Sequence, residues 1–280
     1  VSTWYEINGY PIGGKAVDPG TYLLQGTEYA PALAPRRAVL EVPNTHYALP
    51  LWNDPLSQIT VSLAIRVKGV DADDLQSRWM DLMALLGMGT NQPVTLTRHT
   101  GSFSYTADAQ LVSMATPDFS CPRSRVDATI VFNIPGGAWR GPQVTTQYFN
   151  GTHTLPAALA SNLPIADPLL MVAGPVTTFQ LTDNTSNTSI FWGDGNTTVA
   201  SGKYLIIDPK YMRARVVDAM TNWNFSSGTN VTGALEFRGN GPLTFTARTS
   251  GEFAARQGTF TINHVGSNNG VWVRVREAVV

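Results

Sequence analysis

The chain has 280 residues, enough for two domains of ordinary size, and 43% of them are hydrophobic, enough for true cores. Its net charge is −1, with no basic tail or acidic block, so the basic patch that electrostatic capture of nucleic acid needs does not show in the sequence. A single cysteine, Cys121, excludes an internal disulfide framework and a multi-cysteine zinc site.

In chain order, Trp4 to Ile12 reads as a hairpin turning at Asn8–Gly9, a strong turn pair. From Tyr29 to Pro55 come Pro31, Pro35, Pro43, Pro50 and Pro55, which remove ladder donors, so this stretch is expected to be largely an extended arm or loop. Long irregular stretches inside compact domains are uncommon and usually functional. An arm that wraps a neighbouring subunit is one reading; a loop packed on its own domain is the other. From Gln58 to Lys68 apolar and polar residues alternate strictly, with Ile59, Val61, Leu63, Ile65 and Val67 on one face, which predicts a half-buried strand. Asp71 then caps a helix over 72–86, with Asp73 and Asp74 in its first turn. Leu75, Trp79, Leu82, Met83 and Leu86 form its apolar stripe, and Gly87 stops it.

Val94–Leu96 and Phe103–Tyr105 flank a turn at Thr100–Gly101, and Gln110–Met114 suggests a further strand. Arg125 to Ile134 alternates again and ends at Pro135–Gly136–Gly137. The first domain is therefore placed at 1–138 and a Pro- and Gly-rich connector at 139–162, with a strand such as Thr145–Phe149. A second domain follows at 163–280. Within it, short apolar runs at Leu169–Val172, Ser189–Trp192, Tyr204–Ile207 and Val271–Val275 are separated by Asn, Thr, Ser and Gly clusters, the spacing of an all-β sandwich. No fixed-period repeat is visible.

Charged residues make up only 14%, against about 25% in an average soluble domain. Either other subunits cover much of the surface, or the outer faces are Ser, Thr and Asn. Val1–Ser2–Thr3–Trp4 lacks the charged and then apolar regions of a signal peptide, and Pro or charge breaks every apolar stretch before the ~20 residues of a membrane span. A soluble protein without membrane insertion is expected. Six Asn-x-Ser/Thr triplets, at Asn150, Asn184, Asn187, Asn196, Asn224 and Asn230, match glycosylation acceptors. Ser/Thr-rich β-loops produce such triplets by chance, and that reading is preferred.

The signatures of common chemistry are missing. There is no Gly-x-Ser-x-Gly elbow, no phosphate-binding P-loop and no His-Glu-x-x-His. The glycine pairs Gly87/Gly89 and Gly239/Gly241 lack the third glycine of a dinucleotide fingerprint. His46, His99, His153 and His264 lie far apart without ligand spacing. Asp71, Asp73 and Asp74 lack the later Gly and Glu of a calcium loop. Asp194, between Gly193 and Gly195, reads as a hairpin turn residue between two β runs. Cys121 has no activating group beside it in sequence and is read as inert. Neither a catalytic residue, nor a cofactor, nor a metal is expected. Trp272 stands on the polar face of its strand with Arg274 and Arg276, and is a contact candidate for sugar or protein.

Taken together, the Ile7–Asn8–Gly9 hairpin, the Pro-rich arm, the alternating strand and the single helix at Asp71–Gly87 resemble the distal tail (Dit) family of long-tailed, non-contractile bacteriophages. The turn Phe191–Trp192–Gly193–Asp194–Gly195, followed by Gly202–Lys203–Tyr204–Leu205–Ile206–Ile207–Asp208, is similar to that family's C-terminal half. The resemblance implies a mainly β fold, with an N-terminal β-barrel-like domain bearing one helix and an extended arm, plus a C-terminal galectin-like β-sandwich. It also implies a homo-hexameric ring in the virion tail, assembled in the bacterial host cytoplasm. The ring would join the tail tube protein to the tail-tip hub protein or baseplate. Tape-measure and receptor-binding proteins are further expected partners, and DNA passes the channel only as cargo. Arg36, Arg37, Tyr47 and Trp52 on the arm, and Trp272, are the expected interface residues. A carbohydrate-binding sandwich with Trp192, Trp223 or Trp272 as stacking platform is the alternative, and a secreted β-sandwich hydrolase a third.

Overall fold

The computed structural model describes residues 3–13, 20–27, 39–41, 48–50, 59–86, 92–114, 124–156, 159, 161–246, 248–249, 256–266 and 270–279. The architecture is mainly β, with one α-helix and one short 3-10 turn among the described residues. The chain divides into two compact units, Val1–Gly141 with Val280, and Pro142–Val279.

The first unit contains β1 (Thr3–Ile7), β2 (Tyr10–Ile12), β3 (Thr21–Leu23), β4 (Val39–Glu41), β5 (Ala48–Pro50) and β6 (Ile59–Lys68). Then come α1 (Ala72–Leu85), β7 (Val94–Thr100), β8 (Phe103–Met114), β9 (Arg125–Ile134) and the start of β10 (Trp139–Tyr148). The Asn8–Gly9 turn has both residues at positive φ, 51° and 82°, as a two-residue hairpin demands. Antiparallel pairing runs β3–β6–β9–β8–β7–β1–β2. The Gly13 N–H then donates to the Thr21 carbonyl at 3.3 Å, so the last strand returns to the first and the sheet curls into a barrel. Gln110–Met114 is not a separate strand. β8 is one twelve-residue strand whose first part pairs with β7 and whose end pairs with β9 across a register shift. Strict alternation on β6 puts Ile59, Val61, Leu63, Ile65 and Val67 inside, beside Ile130 and Phe132 of β9.

The helix forms where its caps predict. Asp71 accepts the Asp74 N–H at 2.9 Å, and Asp74 accepts the Val70 N–H at 2.8 Å. The first bond satisfies a first-turn donor and the second ties down the N–H just before the cap. Leu75, Trp79, Leu82 and Leu86 are buried, and Met83, expected in the same stripe, is only half-buried. Within the Pro-rich stretch, β4 and β5 pair with each other and, among the described residues, with no other strand.

The second unit holds the rest of β10, then β11 (Gly151–Thr154), β12 (Leu169–Ala173), β13 (Val176–Asp183), β14 (Thr188–Trp192) and β15 (Tyr204–Asp208). After β16 (Arg213–Val217) and β17 (Thr229–Asn230) follow β18 (Leu235–Gly239), β19 (Arg248–Thr249), β20 (Arg256–Gln257), β21 (Thr259–Gly266) and β22 (Val271–Val279). One sheet runs β17–β16–β15–β12–β22–β10 and the other β11–β21–β13–β14–β18. Leu170, Val172, Leu205, Ile207, Val271 and Val273 from the first, and Phe179, Leu181, Ile190, Trp192, Phe260 and Ile262 from the second, are buried. Each such side chain contributes about 1.5–3 kcal/mol of transfer free energy. The Asp194 turn is real, but it does not make a hairpin: it carries the chain from β14 in one sheet to β15 in the other.

Candidate functional site

The outer face of the β17–β16–β15–β12–β22–β10 sheet departs from the usual polar-out pattern. β12 and β15 carry apolar residues at every position from Leu169 to Ala173 and from Leu205 to Ile207. Alternation then forces Met171 and Ile206 outward, and both are fully buried. What covers them is the 218–228 segment, which lays Trp223 and Phe225 over this face, together with Tyr204 and Trp272 from the sheet itself. The register places Trp272 of β22 opposite Met171 of β12, and Met171 opposite Ile206 of β15.

Beside this apolar cluster lies a row of charge. Leu169 pairs with Arg274, and Asp208 pairs with Arg213. The Arg274 guanidinium lies 3.9 Å from the centre of the Trp223 ring, and its Nε donates to Thr145 Oγ1 at 3.2 Å. Burial, and then the neighbouring charge of Arg276, hold its pKa below the usual guanidinium value; the group remains a cation. Arg213 donates to Asp208 Oδ2 at 2.6 Å and sits 4.7 Å from the Phe225 ring and 4.9 Å from the Tyr211 ring. Asp208 is buried, so this ion pair is fixed rather than loosely solvated. Two hollows adjoin along this row. Trp223, Phe225 and Arg213 border one; Gln143, Lys210, Tyr211, Arg274 and Arg276 border the other; Leu169 and Asp208 belong to both.

Arg36, Arg37, Tyr47 and Trp52 lie outside the described residues. Trp272 is half-buried, edge-on to Tyr204 at 6.2 Å between ring centres. The ring that lies under Arg274 is that of Trp223, not Trp272. Trp192 is no stacking platform: it is fully buried, and its indole N–H donates to the Val231 carbonyl at 3.2 Å. Sequence reading did not single out Lys210, Tyr211, Arg213 or Phe225. The one signal was the density of charge and aromatics in Asp208–Pro209–Lys210–Tyr211–Met212–Arg213, which periodicity alone reads as a turn.

The remaining candidates have structural roles. His99 stacks on Trp4 at 3.8 Å, with Nε2 3.2 Å from a Glu6 oxygen. His153 Nε2 meets the Phe149 carbonyl at 2.7 Å, and His264 is buried on β21. His46 and Cys121 lie outside the described residues. Among the described residues no three His, Cys, Asp or Glu side chains gather as a metal site. The side-chain amides of Asn150, Asn184, Asn224 and Asn230 are engaged in local or cross-strand hydrogen bonds. Among the described residues no helix is long and apolar enough to cross a membrane.

No protein-family model and no curated protein sequence matches the chain. Among solved structures it is similar to the Dit protein (gp 19.1) of phage SPP1, presented as a paradigm of the hub adsorption apparatus in phages that infect Gram-positive bacteria. Identity is 12%, all of both chains is covered, and the TM-score is 0.65. A chain of the phage P2 baseplate in its activated conformation with Ca matches at 11% identity over 99% of this chain and 98% of that one, with a TM-score of 0.48. From end to end this chain is built on the fold of the SPP1 Dit protein, the distal tail architecture that its sequence resembles.

Proposed function

We propose that this protein is a structural hub subunit of a long non-contractile phage tail. Six copies close a ring that joins the tail tube to the tail tip and leaves a channel for DNA. The observation that carries the reading is a shared fold over the whole of both chains with the SPP1 Dit protein. A ring of identical subunits needs repeated surfaces rather than a reaction centre, so the role asks for no catalysis. Its place would be the virion tail, with tail tube and tail-tip hub proteins as neighbours, and tape-measure and receptor-binding proteins within reach. The 29–55 arm, with Arg36, Arg37, Tyr47 and Trp52, is the proposed subunit crossing, and Trp272 a further contact.

Electron microscopy of the purified protein and of labelled virions tests this. Six copies of a 30.2 kDa chain form an annulus of about 180 kDa, and antibody label falls at one end of the tail. A protein absent from virions, or one that stays monomeric even with its tail tube and tip partners, would overturn it.

A further inference from the structure

We infer that the outer sheet face of the second unit is a binding site for an anionic saccharide, one carrying carboxylate or phosphate groups along a chain of hydroxyls. The inference does not rest on the ring, and its calorimetric readout is separate from the ring's microscopy.

Three cations border the hollow over Leu169 and Asp208: Arg274, Arg276 and Lys210. Arg274 and Arg276 are two residues apart on β22 and so share one face. Among the described residues neither forms an ion pair with a carboxylate, whereas Arg213 is already neutralised by Asp208. Two like charges held side by side, one of them half-buried, are costly to the protein alone, and an anion between them removes that cost. Arg274 is also pre-positioned by the Trp223 ring on one side and Thr145 Oγ1 on the other, so little rotamer freedom is lost on binding.

The rest of the hollow selects the kind of anion. The Asp208 and Asp167 carboxylates and the Gln143 amide bring acceptors alongside the cationic donors. A hydroxyl donates and accepts at once and suits such a mixed lining. A hexa-aspartate peptide brings carboxylates to the cations but no row of hydroxyls to the Asp208, Asp167 and Gln143 acceptors. Tyr211 is 61% exposed and offers a ring edge and face at the rim, a surface on which a sugar ring packs.

Calorimetry on the full chain at low and at physiological salt decides the matter, using oligogalacturonate, a phosphomannan, a neutral malto-oligosaccharide and a hexa-aspartate peptide as probes. At least one of the two acidic glycans should bind saturably, and which one binds tells carboxylate from phosphate. The neutral sugar and the peptide should bind at least tenfold more weakly. Arg276→Gln with Lys210→Gln, both exposed positions that leave the fold intact, should weaken glycan binding by tenfold or more. Arg274→Lys keeps the charge but loses the stacked fork, and should weaken it severalfold. Failure of both acidic glycans, equal binding of hexa-aspartate, or glycan binding unchanged in the double variant would each overturn the site.

Discussion

Arg274 lies over Trp223, its guanidinium carbon 3.9 Å from the ring centre, although the two are 51 positions apart in sequence. The contact joins a strand to the loop that seals the apolar outer face. Trp223→Ala should therefore cost about 2 kcal/mol: the cation–π contact is worth roughly 0.5–1 kcal/mol, and uncovering Met171 and Ile206 supplies the rest. Urea unfolding should show the loss, with the sandwich still folded. A change under about 0.5 kcal/mol would mean the loop does not cover the sheet.

The helix cap gives a second expectation. Asp71→Ala removes the acceptor of the Asp74 N–H and should destabilise the first unit by about 1 kcal/mol. Asp71→Asn should lose much less, because the amide oxygen still accepts. Chemical denaturation of the two variants side by side checks this order.

Gly258 stands where a side chain cannot. A Cβ there would come within 1.6 Å of the Thr246 carbonyl oxygen, a backbone atom with nowhere to go. Gly258→Ala should cost 3 kcal/mol or more on the scale of overpacked sites, read as a clear fall in the thermal midpoint. Gly195→Ala, where a Cβ meets open space and the only cost is backbone strain at φ 76°, should cost less.

Asp194 accepts the N–H groups of Asn196 and Thr197 at 2.8 and 2.6 Å, and the Thr197 hydroxyl at 2.8 Å. The Thr197 bonds, first, and then the Asn196 N–H hold its carboxyl below the ordinary value of 3.8. Because the folded pKa is the lower one, the turn's contribution is complete above the unfolded value and disappears as pH falls through the folded value. NMR titration should place Asp194 below 3.8, and Asp194→Ala should speed amide exchange at Asn196 and Thr197. A carboxyl titrating at or above the ordinary value would contradict it.

Among the described residues β4 and β5 pair with each other and with no strand of the barrel, which makes the arm a target for deletion. Deleting residues 30–50 should abolish oligomers, while circular dichroism and thermal unfolding stay those of a folded β protein. Light scattering that shows the same oligomer with and without the arm would remove the arm from the subunit contact.

The strands whose alternation is strict, Gln58–Lys68 and Arg125–Ile134, and the capped helix were legible residue by residue in the sequence, because period and capping are local properties. Turns with positive φ, such as Asn8–Gly9, were equally local. Three features were not. β8 runs unbroken through Gln110–Met114 because two different partner strands share it, and pairing partners lie far off in sequence. Trp192 and Trp223 look alike as isolated aromatics; which is sealed in the core and which lies on the surface under an arginine depends on how two sheets stack. The cationic hollow exists only because β10, β12, β15 and β22 come together, so its residues meet through long-range pairing that no local pattern encodes.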